Sequence, residues 1–288
     1  MYMNHMFPEE VYKIVREKEK EAFQKHRLNY ELRITPYSLF PYFFIKDSKN
    51  PRKYGDLFCL SHLLSQQMFL LDNFLDEQQP VSSDLLKCFH CLSVINRDLS
   101  IKFGSSVYEQ LENLLDRTFS VAKKEEIYRK NELNIDSVTI HPLNDQEYHT
   151  FVIDKVASWE IVPYIVGIID EVSSNQWIRT LQKMALVNQM FDDIIDWKDD
   201  LHKHHWTHWT QHLASIYSVR DPSILIQTLK KDESFIQLIG DSLSRLLTTS
   251  TTICEDLETQ GLYQLSDWWT RSKLTTINKI NKKITSNK

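Results

Sequence analysis

Two acidic pairs have the spacing of a metal site. Asp72 and Asp76 stand four residues apart. The same interval separates Asp192 from Asp196. On an α-helix this interval places both carboxylates of a pair on one face, where the like charges repel by roughly 0.2–0.5 kcal/mol. Neither pair has a lysine or arginine four residues before it. Because Mg²⁺ prefers carboxylate oxygens, a divalent cation is the expected partner of both pairs.

Each acidic pair follows a helical face of apolar and small residues, at about 100° per residue. The first face runs through Ser61, Ser65, Met68 and Phe69, and the second through Met184, Ala185 and Asn188. Trp159 and Phe191 are aromatic candidates for the same walls. Two such helices facing each other would form an apolar pocket with a carboxylate mouth. That shape suits a substrate with a hydrocarbon body and an anionic head.

The elements that must position these residues are predicted to be helices. Helical periodicity dominates the chain, and only five of its 288 residues are glycine. We expect one all-α domain over residues 1–288, with about ten helices around a central apolar pocket. The predicted helices cover residues 8–28 (within an N-terminal segment 1–30), 56–77, 84–99, 105–131, 145–170 with a kink at Pro163 and Gly167, and 175–203, with two or three more after residue 203.

Residues 270–288 carry six cations and no acidic residue. This basic C-terminal tail has two interpretations. It is either a solvated helix end or a cap that closes over an anionic ligand.

Composition excludes several classes of function. The net charge of −5 gives no attraction to nucleic acid, so no nucleic-acid partner is expected. The chain contains no glycine-rich phosphate-binding loop of the G-x-x-x-x-G-K-[ST] type. No apolar run reaches the ~18–20 residues of a membrane-spanning helix. Four cysteines do not form a disulfide scaffold in a chain of this length, so a cytoplasmic location is expected.

These motifs resemble those of the class I isoprenoid synthases, in the branch shaped like trans-prenyl diphosphate synthases. In that family two D-D-x-x-D motifs on opposed helices hold three Mg²⁺ ions on a substrate diphosphate. The first motif appears here as DNFLD at 72–76, and the second as an intact DDIID at 192–196. The resemblance implies that Asp72, Asp76, Asp192 and Asp196 are metal ligands, with Asn73, Gln189, Asp193 and Asp200 supporting them.

The resemblance also implies which cations bind the diphosphate. Lys155 begins a K-V-A segment that is similar to the diphosphate-binding K-T-x of the family. Chain-elongating members carry G-G-K-R-x-R-P for a second diphosphate, whereas this chain has ELRITP at 31–36, which keeps only Arg33 and Pro36. The arginine pair that follows the first motif in those enzymes is replaced by QQP at 78–80. Because a second diphosphate needs cations, one diphosphate site is expected to remain, with Lys155 and Arg33 as its diphosphate-binding residues.

A single diphosphate site implies a terpene synthase, which is a lyase. It would ionise a linear prenyl diphosphate in the farnesyl to geranylfarnesyl range with Mg²⁺. The carbocation would become a cyclic or linear terpene as diphosphate is released. Two enzymatic alternatives stay open: a prenyltransferase that elongates an allylic diphosphate with isopentenyl diphosphate, and a squalene- or phytoene-type condensation. The non-enzymatic alternative is a silent prenyl-lipid-binding subunit. Members of the family often dimerise, so a homodimer is also an option.

Overall fold

The computed structural model describes residues 7–26, 32–46, 48–76, 83–129 and 144–286, without the side chains of 72–76, 83–85, 126–129 and 278–286. Within these residues every regular element is a helix, which confirms the all-α prediction. The α-helices are α1 (Glu9–Lys25), α2 (Gly55–Asp76), α3 (Ser83–Ile101), α4 (Ser105–Arg129), α5 (Asp145–Lys155), α6 (Ile161–Ile169), α7 (Asn175–Ile195), α8 (Trp197–His202), α9 (His208–Tyr217), α10 (Pro222–Lys231), α11 (Glu233–Thr259) and α12 (Tyr263–Ser286). Three short 3-10 helices cover Tyr37–Phe43, Pro51–Tyr54 and Ala157–Glu160.

The described residues fall into two compact units. Unit 1 comprises those within Met1–Thr118 and Ala157–Ile178, and unit 2 comprises those within Phe119–Val156 and Arg179–Lys288. The prediction of one domain over the whole chain is not tested by this division and stays a prediction. No helix of the described residues has the combination of length and apolar character that crossing a membrane requires.

In unit 1, α2 is the central element. It packs against α1, α3 and the 3-10 helix Tyr37–Phe43. Its apolar face supplies fully buried side chains to the core: Leu57, Phe58, Leu60, Leu63 and Leu64. Pro36 and Pro41 flank and interrupt the aromatic segment in front of α2, which therefore forms a short 3-10 helix and not a longer α-helix.

In unit 2, local signals set the ends of the helices. Asn144 and Glu147 form a capping box at the start of α5. Asp221 caps α10, whose first residue is Pro222. Gly261 ends α11 with a φ of +75°, and Leu262 N donates to Leu257 O at 2.8 Å, which is a Schellman motif.

The prediction of one continuous helix over 145–170 is wrong, because two separate α-helices cover this range. The chain leaves the α-helix at Val156 and passes through the 3-10 helix Ala157–Glu160 before α6 begins. Pro163 is the third residue of α6, where the backbone N–H has no helical partner, so the proline fits the first turn and causes no kink.

The predicted single helix over 175–203 is also interrupted. Asp196, with φ −98° and ψ 6°, separates α7 from α8. Trp197 then packs edge-on against Phe235 of α11, with ring centroids 5.0 Å apart. After α8 the described residues form four α-helices instead of two or three, because Thr207, Asp221 and Asp232 each cap a new start.

Helix α1 begins at Glu9, and it ends at Lys25 with His26 as its C-cap instead of continuing to residue 28. Residues 27–30 of the N-terminal segment lie outside the described residues. The basic segment continues α12 as far as Ser286.

Candidate functional site

The second acidic motif lies where α7 meets α8 in unit 2. Asp192 is exposed, whereas its neighbour Asp193 is buried. Backbone hydrogen bonds continue across the break, from Asp196 N to Asp192 O at 2.9 Å and from Asp200 N to Asp196 O at 2.8 Å. The three acids 192, 196 and 200 therefore keep the one-turn spacing that the sequence predicted, despite the interruption of the helix.

Asp193 is an internal anchor of this motif. Gln189 Nε2 donates to its Oδ1 at 2.7 Å, and Tyr148 Oη of α5 donates to its Oδ2 at 3.3 Å. Burial raises the pKa of Asp193 to about 6, against the lowering effect of those two bonds and of Lys155. These contacts fit the predicted supporting role of Asp193 and Gln189, which stays a prediction. Tyr148 is a residue that the sequence analysis missed.

Lys155 lies within electrostatic reach of the second motif, because its charge lowers the pKa of Asp193. Its Nζ is 2.9 Å from Glu125 Oε1 of α4, and both side chains are largely buried. Glu125 therefore fixes the position of the ammonium group. A diphosphate that binds Lys155 would have to share this lysine with Glu125.

Lys273 of α12 is the cation that the sequence analysis did not single out. Its side chain is buried, and Nζ donates to Asn188 Oδ1 of α7. Nζ also lies 4.1 Å from the ring centroid of Trp269 and 5.0 Å from that of Phe191. Burial lowers the pKa of Lys273 to about 8, although the Asp192 carboxylate acts in the opposite direction. Two predicted pocket residues, Asn188 and Phe191, thus contact a lysine.

The sequence held only a partial signal for this contact. Trp269 and Lys273 are four residues apart on a helix, which places the ring and the ammonium group on one face. Asn188 precedes Lys273 by 85 residues, so no local pattern could pair them. Ala185, another predicted pocket residue, is half-buried on α7.

In unit 1, the two predicted pocket serines of α2 are fully buried and hydrogen-bonded. Ser61 Oγ donates to Tyr37 O at 2.7 Å, and Ser65 Oγ donates to His62 O at 2.7 Å. Ser65 Oγ also lies 3.4 Å from Ser38 Oγ. Both serines thus link α2 to the 3-10 helix Tyr37–Phe43, and their role as pocket walls stays a prediction.

An aromatic cluster of unit 1 includes other predicted pocket residues. The ring centroid of Tyr37 is 5.0 Å from that of Trp159 and 6.2 Å from that of Phe69. Phe69 is 42% exposed, and Trp159 and Met68 are half-buried. Accessible aromatic faces of this kind can stabilise a cation by about 0.5–2 kcal/mol each.

Arg33 is exposed on the segment in front of the 3-10 helix Tyr37–Phe43. Gln66 Nε2 donates to Arg33 O at 2.9 Å and holds its backbone. The side chain lines a shallow groove of unit 1, whose other walls are Glu9, Tyr12, Lys13, Arg16, Glu17 and Ile34. Its predicted role in diphosphate binding stays a prediction.

The first acidic motif is described only in its backbone. Residues 72–76 complete α2, so Asp72 and Asp76 have the helical spacing that the sequence predicted. The side chains of Asp72, Asn73 and Asp76 lie outside the described part of the structure.

The carboxylates of the second motif fit a Mg²⁺ ion that takes its further ligands from a bound phosphate. Carboxylates at one-turn spacing, one of them exposed, are suitable oxygen ligands. Among the described residues, however, no three histidine, cysteine or acidic side chains converge as a metal site. Mg²⁺ is commonly held by one or two carboxylates together with substrate phosphates. The residues present therefore fit an ion that binds together with a diphosphate.

Comparison with known proteins identifies the fold. No family model matches the chain, and no curated protein matches it. Among solved structures it is similar to the octaprenyl pyrophosphate synthase of Helicobacter pylori, with a TM-score of 0.67 and 12% sequence identity. The match covers 93% of this chain and 99% of that one. The chain therefore has the all-helical fold of this prenyl synthase.

Proposed function

We propose that the protein is a Mg²⁺-dependent enzyme that releases diphosphate from a linear prenyl diphosphate. The observation that carries this proposal is the set of acids at 192, 196 and 200 with one-turn spacing, in a motif that lies within electrostatic range of Lys155 and Lys273. The fold of the octaprenyl pyrophosphate synthase supports it independently.

The residues of unit 2 have distinct roles in this proposal. Asp192 and Asp196 would hold Mg²⁺, which when bound draws charge from the diphosphate as the carbon–oxygen bond breaks. Lys155 donates a hydrogen bond to a diphosphate oxygen and stabilises the same charge. Asp193 keeps Gln189 and α5 in place through the hydrogen bonds described above.

Two fates of the prenyl cation are candidates, and each has its own support. Prenyl transfer to isopentenyl diphosphate is favoured by the similarity to an octaprenyl pyrophosphate synthase over nearly the whole chain. Terpene formation is favoured by the sequence at 31–36 and 78–80, where the cations for a second diphosphate are replaced. We rank prenyl transfer first, because the fold comparison covers 93% of this chain.

Product analysis separates these candidates. The purified protein is incubated with Mg²⁺ and prenyl diphosphates of ten to twenty-five carbons, with and without isopentenyl diphosphate, and the extract is analysed by mass spectrometry. Longer diphosphates that form only with isopentenyl diphosphate would establish prenyl transfer. Hydrocarbons or alcohols that form without it would establish a terpene synthase. Binding without any product would indicate a silent prenyl-lipid-binding subunit.

Asp192→Asn tests the assignment of the site. We expect kcat/KM to fall by at least about a hundredfold, because the loss of one strong electrostatic contact in an active site typically costs that much. Asp267→Asn is the matched control, since Asp267 is exposed on α12 and pairs with Arg271. Unchanged kcat/KM in Asp192→Asn would contradict the assignment.

A further inference from the structure

Lys273 is a buried cation whose hydrogen-bond partner, among the described residues, is a neutral amide. Its hydrogen-bond acceptor is the amide oxygen of Asn188, and in the described part of the chain no carboxylate oxygen lies at ion-pair distance from Nζ. Removal of an ammonium group from water costs several kcal/mol unless an opposite charge or several hydrogen bonds compensate it. An amide oxygen alone compensates only part of this cost.

Two aromatic rings compensate a further part of the cost of burying the ammonium group. Cation–π contacts with Trp269 and Phe191 are worth about 0.5–2 kcal/mol each. Trp269 itself is fully buried, and its indole N–H has no acceptor in the described structure. This small region of unit 2 therefore contains a cation and a neutral donor that both lack a full complement of acceptors. Buried donors of this kind call for a partner, and an anion is able to accept from both.

The position of Lys273 near the second acidic motif indicates which anion it would bind. Asn188 precedes Asp192 by one helical turn, and Phe191 is the residue directly before it. The Asp192 carboxylate is near enough to influence the ammonium group of Lys273. A diphosphate held at Asp192 through Mg²⁺ would thus lie close to Nζ.

We propose that Lys273 binds an anionic oxygen of the substrate diphosphate and is a second diphosphate-binding cation of unit 2 besides Lys155. This inference rests on the proposed function, because it takes the prenyl diphosphate as the ligand. One of the three ammonium hydrogens is used by Asn188, which leaves donors for the phosphate. One lysine of the basic C-terminal segment thus acquires a role in diphosphate binding.

The test is calorimetric titration of the full chain with inorganic pyrophosphate in the presence of Mg²⁺. In Lys273→Met, which keeps the length and apolar stem of the side chain, we expect the Kd to rise about ten- to a hundredfold. This range corresponds to the loss of one charge-assisted hydrogen bond. Lys273→Arg keeps the charge, so its Kd should lie between those of the wild-type chain and of Lys273→Met. Arg271→Met is the matched control, because Arg271 is an exposed cation of the same helix, and its Kd should stay within about twofold of the wild type.

A Kd for Lys273→Met equal to that of the wild-type chain would overturn the inference. A crystal structure of the wild-type chain with Mg²⁺ and pyrophosphate provides a second measurement that does not depend on the folding of a variant. Nζ of Lys273 beyond hydrogen-bond distance of every phosphate oxygen would also overturn it. If the wild-type chain neither binds pyrophosphate with Mg²⁺ nor converts a prenyl diphosphate, the proposed function fails as well. Turnover by the wild type with unaffected binding in Lys273→Met rejects the role of Lys273 alone.

Discussion

The Glu19 carboxylate is buried in α1, where three groups compensate its charge. Leu32 N donates to Oε1 at 2.8 Å, Arg16 Nη1 lies 2.7 Å from Oε2, and His62 Nε2 lies 3.3 Å from Oε1. Burial by itself would raise the pKa of Glu19, but these contacts outweigh it and hold the pKa below its ordinary value of 4.5. Glu19 thus ties the segment before the 3-10 helix Tyr37–Phe43 to α1 and α2.

Glu19→Gln should lower the free energy of unfolding in a pH-dependent manner. Because the folded-state pKa is lowered, the charge of Glu19 stabilises the fold above pH 4.5, and this contribution is lost as the pH falls through the folded-state pKa. We expect a loss of about 1–3 kcal/mol at pH 7 and a smaller difference at pH 4. Urea unfolding followed by circular dichroism at both pH values measures it.

The control for this prediction is Glu21→Gln on the same helix. Glu21 is 62% exposed and pairs with Lys18, so its replacement should change stability by less than about 1 kcal/mol. A loss in Glu19→Gln that is the same at pH 4 and pH 7 would contradict the proposed charge effect.

At the scale of elements, the end of α6 depends on a close backbone approach. A Cβ atom at Gly167 would lie 2.8 Å from Val172 O and 3.2 Å from Ser174 Cβ. Val172 N also donates to Gly167 O at 2.9 Å, which closes the turn after the helix. Because the nearest atom belongs to the backbone, it cannot move aside as a flexible side chain would.

Gly167→Ala should therefore destabilise the protein by about 1–3 kcal/mol through overpacking. The same substitution at Gly240 provides the comparison, because that glycine is exposed in α11 and a Cβ there would meet no atom within 4 Å. Gly240→Ala should stabilise the protein by about 0.5–1 kcal/mol. Thermal unfolding of both variants measures the two effects, and a stabilised Gly167→Ala would refute the close approach.

Local patterns in the sequence predicted many elements, and long-range contacts explain most of the errors. The acidic spacing at 192–196 and the helical character of 56–76 follow from periodicity alone. The break at Asp196 was not predictable, since it accompanies the packing of Trp197 against Phe235 of α11. The contact between Lys273 and Asn188 was also not predictable, because it joins two residues that are far apart in the sequence. The kink predicted at Pro163 does not form, because α6 begins only two residues before it and a proline fits the first turn of a helix.

At the scale of the whole molecule, ligand binding and stability are linked. A ligand that binds only the folded chain stabilises it by RT ln(1 + [L]/Kd), which is about 2.7 kcal/mol at a hundredfold excess over Kd. The described residues hold no group of three metal ligands, so Mg²⁺ alone should bind weakly. Pyrophosphate alone would face the acids of the second motif without a bridging cation.

Mg²⁺ and pyrophosphate together should therefore raise the melting temperature, and each alone should have little effect. For a chain of 288 residues we expect a rise of roughly 4–7 °C at a hundred- to thousandfold excess over Kd. Differential scanning fluorimetry measures this shift. Asp192→Asn should abolish most of it, and an equal shift in that variant would place the ligand elsewhere.

The contact between α7 and α12 has a consequence for the synthesis of the protein. Because 85 residues separate Asn188 from Lys273, the ribosome adds α12 about 4–17 s after α7 at typical elongation rates. During that interval the Phe191 face of a nascent chain has neither Trp269 nor Lys273 to cover it. Apolar surface that is exposed in this way makes a folding chain prone to aggregation. Translation speed between codons 188 and 273 thus sets how long this face stays uncovered.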